Sequence, residues 1–191
     1  MIALSQKQPI SRFVALVFVG TALFMPCRIA FAAEAAPKAT AAEEKLLREV
    51  FPQAGSFSGK DGAKPHYKAF VKNAKTGKSD LAGFVFKTYE VEPDEYGYAG
   101  PIEIIVGMTK DGVITGIKVL NHREPFGSFS IDPPEFAAQF KGKSILDAFE
   151  VGNDIDAVTR ATISVDGASR VIRKSARRVL QQHLAEQQGK K

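Results

Sequence analysis

One cysteine, Cys27, and no tryptophan occur in 191 residues. A lone cysteine cannot close an intrachain disulfide, ligate an iron–sulfur cluster or provide the paired thiols of a c-type haem attachment. Histidine is almost as scarce. His66, His122 and His183 are far apart and show no metal-ligand spacing. Long apolar runs are missing too: the best, Phe13 to Met25, covers 13 residues, against roughly 20 needed to span a bilayer. No internal repeat is present. Nor does a constellation of base, nucleophile and oxyanion donors stand out, which argues against a hydrolase or a transferase. Any redox chemistry needs a cofactor held by other groups.

The N-terminal stretch Met1 to Ala32 has Lys7, Arg12 and Arg28 and no acidic residue. Its apolar run follows the basic start, Pro26 breaks that run, and Ala30-Phe31-Ala32 offers small residues for cleavage. These are the marks of a secretory signal peptide. Phe24-Met25-Pro26 lacks the small residues that lipidation of Cys27 would need. Cleavage after Ala32 leaves 159 residues with 23 basic and 21 acidic side chains, a net of +2 in place of +5. It also removes the cysteine. The high overall basicity therefore belongs partly to the export signal and gives no support to nucleic-acid binding. Residues 33–42, Ala-rich with Pro37, read as a linker, and residues 43–188 as a single domain, with enough chain for one core. An anchor retained through Ala33 is the alternative to cleavage.

Within the domain, Ala42 to Val50 reads as a short helix ended by Phe51-Pro52, and Gln53 to Lys64 as a Gly- and Ser-rich loop. Strands are expected over His66–Lys72, Leu81–Val91, Ile102–Met108 and Val113–Asn121. Asp111-Gly112 between two apolar runs marks the last pair as a hairpin. Pro133 to Phe140 reads as a helix with proline at its start, and Ser144 to Phe149 as a further helical turn. Strands in succession followed by helices give an α+β domain, an antiparallel sheet with helices packed on one face.

The longest helical pattern runs from Ser164 or Val165 to the C-terminal region. Ala168, Val171, Ile172, Ser175, Val179, Leu180 and Leu184 form its apolar face. Arg170, Arg173, Lys174, Arg177 and Arg178 line the other, which reads as a solvated face or, alternatively, as a docking surface for an acidic partner. Before this helix stands Asp156-Ala157-Val158-Thr159-Arg160-Ala161-Thr162-Ile163-Ser164. Hydroxyls at a helix start have two readings. In one, Ser164 simply caps the helix. In the other, the free N–H groups of the first turn form an anion site.

Three segments stand in a fixed order: Gly97-Tyr98-Ala99-Gly100-Pro101-Ile102, then His122-Arg123-Glu124-Pro125-Phe126-Gly127, then Asp156 to Ser164. Together they resemble the FMN-binding domain family of exported flavoproteins. That family includes the covalent-flavin subunits of the Rnf and sodium-pumping NADH:quinone oxidoreductase complexes, and the periplasmic domain of the nitrous oxide reduction regulator. The likeness runs from about Leu81 to Leu184.

In the family, the last segment ends in a hydroxyl residue that an exported, FAD-dependent flavin transferase esterifies with the FMN phosphate. Matched by position, Asp156 takes the acidic place, Thr159 the first hydroxyl, Ala161 the small residue and Thr162 the covalent attachment site. Ile163 and Ser164 complete the cofactor-binding segment. Arg160 stands where the family usually has Gly. Either the turn here has ordinary φ, or the side chain lies near the flavin phosphate, or it points to solvent. The middle segment keeps the family's Glu as Glu124 and lacks its Thr, which makes it more similar to the regulator branch than to the Rnf branch. The resemblance implies Glu124 and Phe126 beside the flavin, with Gly100 admitting close backbone approach, Tyr98 shielding the ring and Pro101 as a further cofactor-binding position. Without a ligand, the first segment is a tight turn, Phe126 is core, and His122 is structural.

The resemblance implies an exported, periplasmic flavoprotein carrying covalent FMN, with association at the outer face of the inner membrane as one placement. It would transfer electrons between redox partners rather than convert a substrate. Its partners would be the flavin transferase and a membrane or periplasmic electron-transfer protein, with no nucleic acid and no metal. A flavin-dependent sensory or assembly module, or a structural domain that has lost its flavin, are the competing readings.

Overall fold

The computed structural model describes residues 39–189. The signal peptide and most of the linker therefore lie outside the described residues. Helix α1, Ala41–Val50, begins inside the expected linker. Thr40 starts it with a reciprocal cap, its hydroxyl accepting from the Glu43 N–H while its own N–H donates to Glu43 Oε2 at 2.8 Å. Strand β1, Ser56–Phe57, adds a short edge inside the expected loop, followed by β2, Tyr67–Lys72, and β3, Ser79–Lys87.

The third strand ends before Val91. The chain turns into α2, Thr88–Val91, because the buried Thr88 hydroxyl replaces the sheet ladder. It donates to the Ile102 carbonyl at 3.1 Å and accepts from the Ile104 N–H at 3.0 Å. Strands β4, Glu103–Thr109, and β5, Ile114–Asn121, form the expected hairpin, with Gly112 at φ +81° in its turn. All five strands pair antiparallel with their sequence neighbours, in the order β1-β2-β3-β4-β5.

Beyond the sheet come α3, Gly127–Ser130, α4, Pro134–Ala138, and α5, Thr162–Gln188. No helix forms over Ser144–Phe149. There the Ser144 N–H is taken by Asp147 Oδ2 at 2.9 Å, and Phe149 sits at φ +50°, outside the helical region.

Strand alternation decides the layers. Phe84, Phe86, Ile104, Val106 and Met108 face α5 and pack with Val165, Ala168, Ile172, Ala176 and Val179. Val85 and Ile105 face the other way, onto Leu47, Val50 and Phe51. The domain is α+β, as expected, with its principal helical layer on one face. Helix α1 adds a smaller cover on the opposite face.

The basic side of α5 is a solvated face only in part: Lys174 and Arg178 are exposed, and all five cations also engage neighbouring loops. Arg170 and Lys174 pair with Glu95, Arg178 pairs with Glu92 at 3.2 Å, and Arg170 also donates to the Tyr96 carbonyl. On the other flank, Arg177 donates to the Ile145 carbonyl at 2.7 Å and Arg173 to that of Ala148. These cations strap two loops to the helix. Burial would raise the Glu95 pKa, but hydrogen bonds and charge from Lys174 and Arg170 outweigh it and hold the carboxyl below its ordinary 4.5. A depressed folded-state pKa contributes stability above the unfolded-state value, and that stability is lost as pH falls through the folded value. Amide protection factors in residues 92–97, taken relative to the intrinsic exchange rate at each pH, are accordingly expected to fall below about pH 4.5, and Glu95→Gln should remove most of that pH response.

Candidate functional site

Helix α5 begins two residues before the earlier of its expected starts, at Thr162. Its N-cap is Ala161, at φ −130° and ψ 17°, which has no side chain to cap with. The first turn carries no acidic residue. Ser164 is therefore not the cap: it is the third helical residue, and its hydroxyl donates elsewhere. Among the described residues, the first-turn N–H groups have no side-chain acceptor at the positive end of this 27-residue helix.

Arg160 explains how the chain enters this helix. Its φ is +69°, so the turn retains the left-handed conformation that the family's glycine would supply, and the ordinary-φ alternative fails. Such a conformation costs a non-glycine residue about 1–2 kcal/mol. Arg160→Gly removes that strain but adds chain entropy to the unfolded state. We expect a net stabilisation of about 0.5–1 kcal/mol, measurable as a higher midpoint in urea unfolding with an unchanged slope.

The three sequence segments converge on Glu124. Its carboxylate is buried, 6% exposed, and accepts from the Tyr98 N–H and the Ala99 N–H, each at 3.0 Å. The Ser164 hydroxyl, 3% exposed, supplies a third, short hydrogen bond. One side chain thus ties the 97–101 loop, the segment after β5 and the first turn of α5. His122 fixes Glu124 from behind. Its Nδ1 accepts from the Glu124 N–H at 3.0 Å, which leaves Nε2 to donate to Asp132 Oδ1 at 2.8 Å. This is a structural use of His122.

Close packing at the same junction rests on Gly167. A Cβ there would lie 2.7 Å from Gly97 Cα and 2.9 Å from the Tyr96 carbonyl. Neither backbone atom can move aside cheaply, so the loop can lie against α5 only where a side chain is missing.

Beside this junction opens a cavity of about 580 Å³, lined by Tyr98, Pro125, Phe126 and the five consecutive residues Arg160 to Ser164. That volume lies within the roughly 300–1,000 Å³ usual for small-molecule and cofactor sites. Tyr98, Phe126 and Ile163 are 66%, 42% and 60% exposed, so the walls present apolar surface while the floor is a helix start. Phe126 is therefore not core. Thr162 is exposed on this cavity, and its hydroxyl makes only a long 3.4 Å contact to the Val158 carbonyl.

Of the expected site residues, the cavity thus gathers Tyr98, Phe126, Arg160, Ala161, Thr162, Ile163 and Ser164. Glu124 stands behind it as the strap. Gly100, at φ +147°, closes the loop through its carbonyl, which accepts from the Gly97 N–H at 2.7 Å. Pro101 lines a separate small pocket with Tyr89, Glu103 and Asn121. Asp156 and Thr159 are exposed before the turn, and the Asp156 N–H donates to Gln139 Oε1 at 2.7 Å. Sequence reasoning missed Pro125 as a wall and the packing role of Gly97 and Gly167. The small residues Ser164, Gly167 and Ala168, at helical three- and four-residue spacing, were the available signal.

A cavity floored by a free helix start and walled by apolar side chains suits a planar cofactor with an anionic end. Residues 97–177, from this loop into the middle of α5, match the model of the FMN-binding domain. That stretch belongs to the FMN-binding domain family. It is similar to one component of the proton-translocating ferredoxin:NAD(+) oxidoreductase complex of Clostridium ljungdahlii, 24% identical over 184 residues, or 93% of this chain and 90% of that one. It is also 33% identical over 105 residues to the corresponding component of an ion-translocating oxidoreductase complex of Vibrio atlanticus, covering 50% of this chain and 49% of that one. Its counterpart in the Na(+)-translocating ferredoxin:NAD(+) oxidoreductase complex of Acetobacterium woodii is 33% identical over 98 residues, 46% of this chain and 45% of that one. The chain thus spans about half the length of the latter two relatives. These relatives stand on the branch that the His122–Gly127 segment resembles less. Among the described residues, no helix is long and apolar enough to cross a membrane.

Proposed function

We propose that this chain is an exported electron-transfer flavoprotein that carries FMN as a phosphoester on Thr162 and works beside a membrane oxidoreductase. The observation that carries the reading is the Thr162 hydroxyl, exposed on the cavity at the uncapped start of α5 and weakly engaged. In the loading step, Thr162 Oγ1 bonds to the flavin-side phosphorus of FAD, the pyrophosphate linkage breaks and AMP leaves. The hydroxyl proton passes to a base of the exported transferase. A phosphate held there would meet the first-turn N–H groups and the helix dipole. Small Ala161 admits close approach, and Pro125, Phe126, Tyr98 and Ile163 supply apolar walls for a ring system. Glu124 holds the two sides of the cavity in register and leaves the cofactor's polar edge to other groups.

The bound flavin supplies one- and two-electron transfer, while the protein fixes its position and surroundings. Covalent attachment also prevents loss of the cofactor outside the cytoplasm, which fits the export signal expected at Met1–Ala32. The electron partner in this reading is a membrane redox protein, as the kinship with components of oxidoreductase complexes suggests. The missing Thr after Glu124 favours a second reading, a redox-sensing module. Rapid reduction by isolated membranes supports the carrier role, whereas negligible reduction supports the sensor.

The test of loading is co-expression of the full chain with and without an exported flavin transferase. Flavin fluorescence should migrate with the denatured protein only when the transferase is present. A dark band in its presence overturns the covalent reading.

A further inference from the structure

We propose that Arg160 is a phosphate-recognition residue, forming with the start of α5 a two-part site that selects flavins bearing a phosphate over those without one. The inference rests on the flavin reading above and adds a specificity device particular to this chain.

Three observations carry it. First, Arg160 lines the cavity together with Thr162 and Ser164. Second, its guanidinium has no hydrogen bond and no ion pair among the described residues. Arg123 is likewise unpaired among the described residues but does not line the cavity, whereas Arg48, Arg170, Arg173, Arg177 and Arg178 have partners in loop carbonyls, carboxylates or both. A cation left unpaired beside a cofactor-sized cavity is available to an anionic ligand. Third, no carboxylate among the described residues lines that cavity. The first turn of α5 carries no acidic residue either, so nothing of opposite charge on the cavity wall competes with an incoming anion.

The chemistry of the pair is complementary. Backbone N–H groups at a helix start offer fixed donors with partial positive charge. A guanidinium adds a full charge and a planar fork matched to phosphate oxygens. Because Arg160 sits in a left-handed turn two residues before Thr162, its side chain departs from the same bend that presents the acceptor hydroxyl. Glycine would hold that bend without strain but would bring no charge. On this basis the substitution exchanges conformational ease for anion recognition.

The test uses the full chain prepared without transferase, titrated with FMN and with riboflavin and followed by quenching of flavin fluorescence. Both ligands fill the same walls, and only one carries phosphate. The parent protein should bind FMN about tenfold or more tightly than riboflavin, the scale of one good charge-assisted contact. In Arg160→Gly that ratio should fall several-fold toward unity, with riboflavin affinity unchanged. Arg160→Lys should keep an intermediate ratio, since charge remains without the fork. Inorganic phosphate should displace FMN and leave riboflavin bound. The glycine variant removes a backbone strain, so misfolding is not expected to confuse the result. A structural role would weaken both flavins together. An unchanged ratio in Arg160→Gly overturns the role of Arg160 while leaving the cavity assignment intact. Failure of the parent to bind either flavin overturns the cavity assignment itself, and the proposal with it.

Discussion

Thr162→Ala is expected to abolish covalent flavin while leaving the fold untouched. The side chain is exposed at the first position of α5, and its one contact, 3.4 Å to the Val158 carbonyl, is too long to matter much for stability. Alanine is also the best helix former. Thermal unfolding should therefore move by about a degree or less, as for other surface substitutions away from special features. The flavin signal of the denatured, transferase-exposed protein should fall to background. Thr162→Ser keeps a hydroxyl at the same place and should retain most of the label. Ser164→Ala tests the alternative acceptor: Ser164 is buried and already donates to Glu124, so labelling should persist in that variant even though stability drops.

The largest stability effect is expected at Glu124. Truncation to alanine leaves the buried Ser164 hydroxyl and the part-buried N–H groups of Tyr98 and Ala99 without their acceptor. Hydrogen bonds to a charged acceptor contribute about 1.5–3 kcal/mol each and do not add simply. Losing that shared acceptor is expected to cost about 2–3 kcal/mol in Glu124→Ala. Urea unfolding measures it. Glu124→Gln should cost less, because one amide oxygen can still accept, but its NH2 then faces a donor. A double-mutant cycle with Ser164→Ala should give a coupling of about 1–2 kcal/mol. Both Glu124 variants should also label poorly, since the 97–101 loop and the start of α5 are no longer held together. Poor labelling with altered stability separates them from Thr162→Ala, which loses label alone.

Local rules carried the sequence reading a long way. Asp111-Gly112 marked the β4–β5 hairpin, and period-two alternation in the 84–86 and 104–108 runs marked a sheet with apolar residues on both faces. The order of the three segments identified the cofactor family from residues that are individually ordinary. What stayed hidden was long-range. Glu124 meets Tyr98 across 26 positions and Ser164 across 40, and no spacing rule announces a carboxylate shared between them. The partners of the basic side of α5 stayed hidden for the same reason: they include main-chain carbonyls at 145–148 in a segment without regular structure. Thr88 ended a strand that β-propensity continued, because its hydroxyl supplied hydrogen bonds that propensity does not count. At Arg160 the sequence posed the right question, and only the observed φ of +69° answered the backbone half of it.

These pieces place one hydroxyl at the centre of the molecule's use. Trypsin cleaves after Arg160 and Arg170 and so releases Ala161 to Arg170, a peptide that contains Thr162, Ser164 and Ser169. Fragment-ion mass spectrometry of that peptide, from the full chain exported in cells with the flavin transferase, reads the linkage directly. The expected result is one FMN less one water on Thr162, absent when the transferase is deleted. An unmodified peptide, or FMN carried on Ser164 or Ser169, would contradict it.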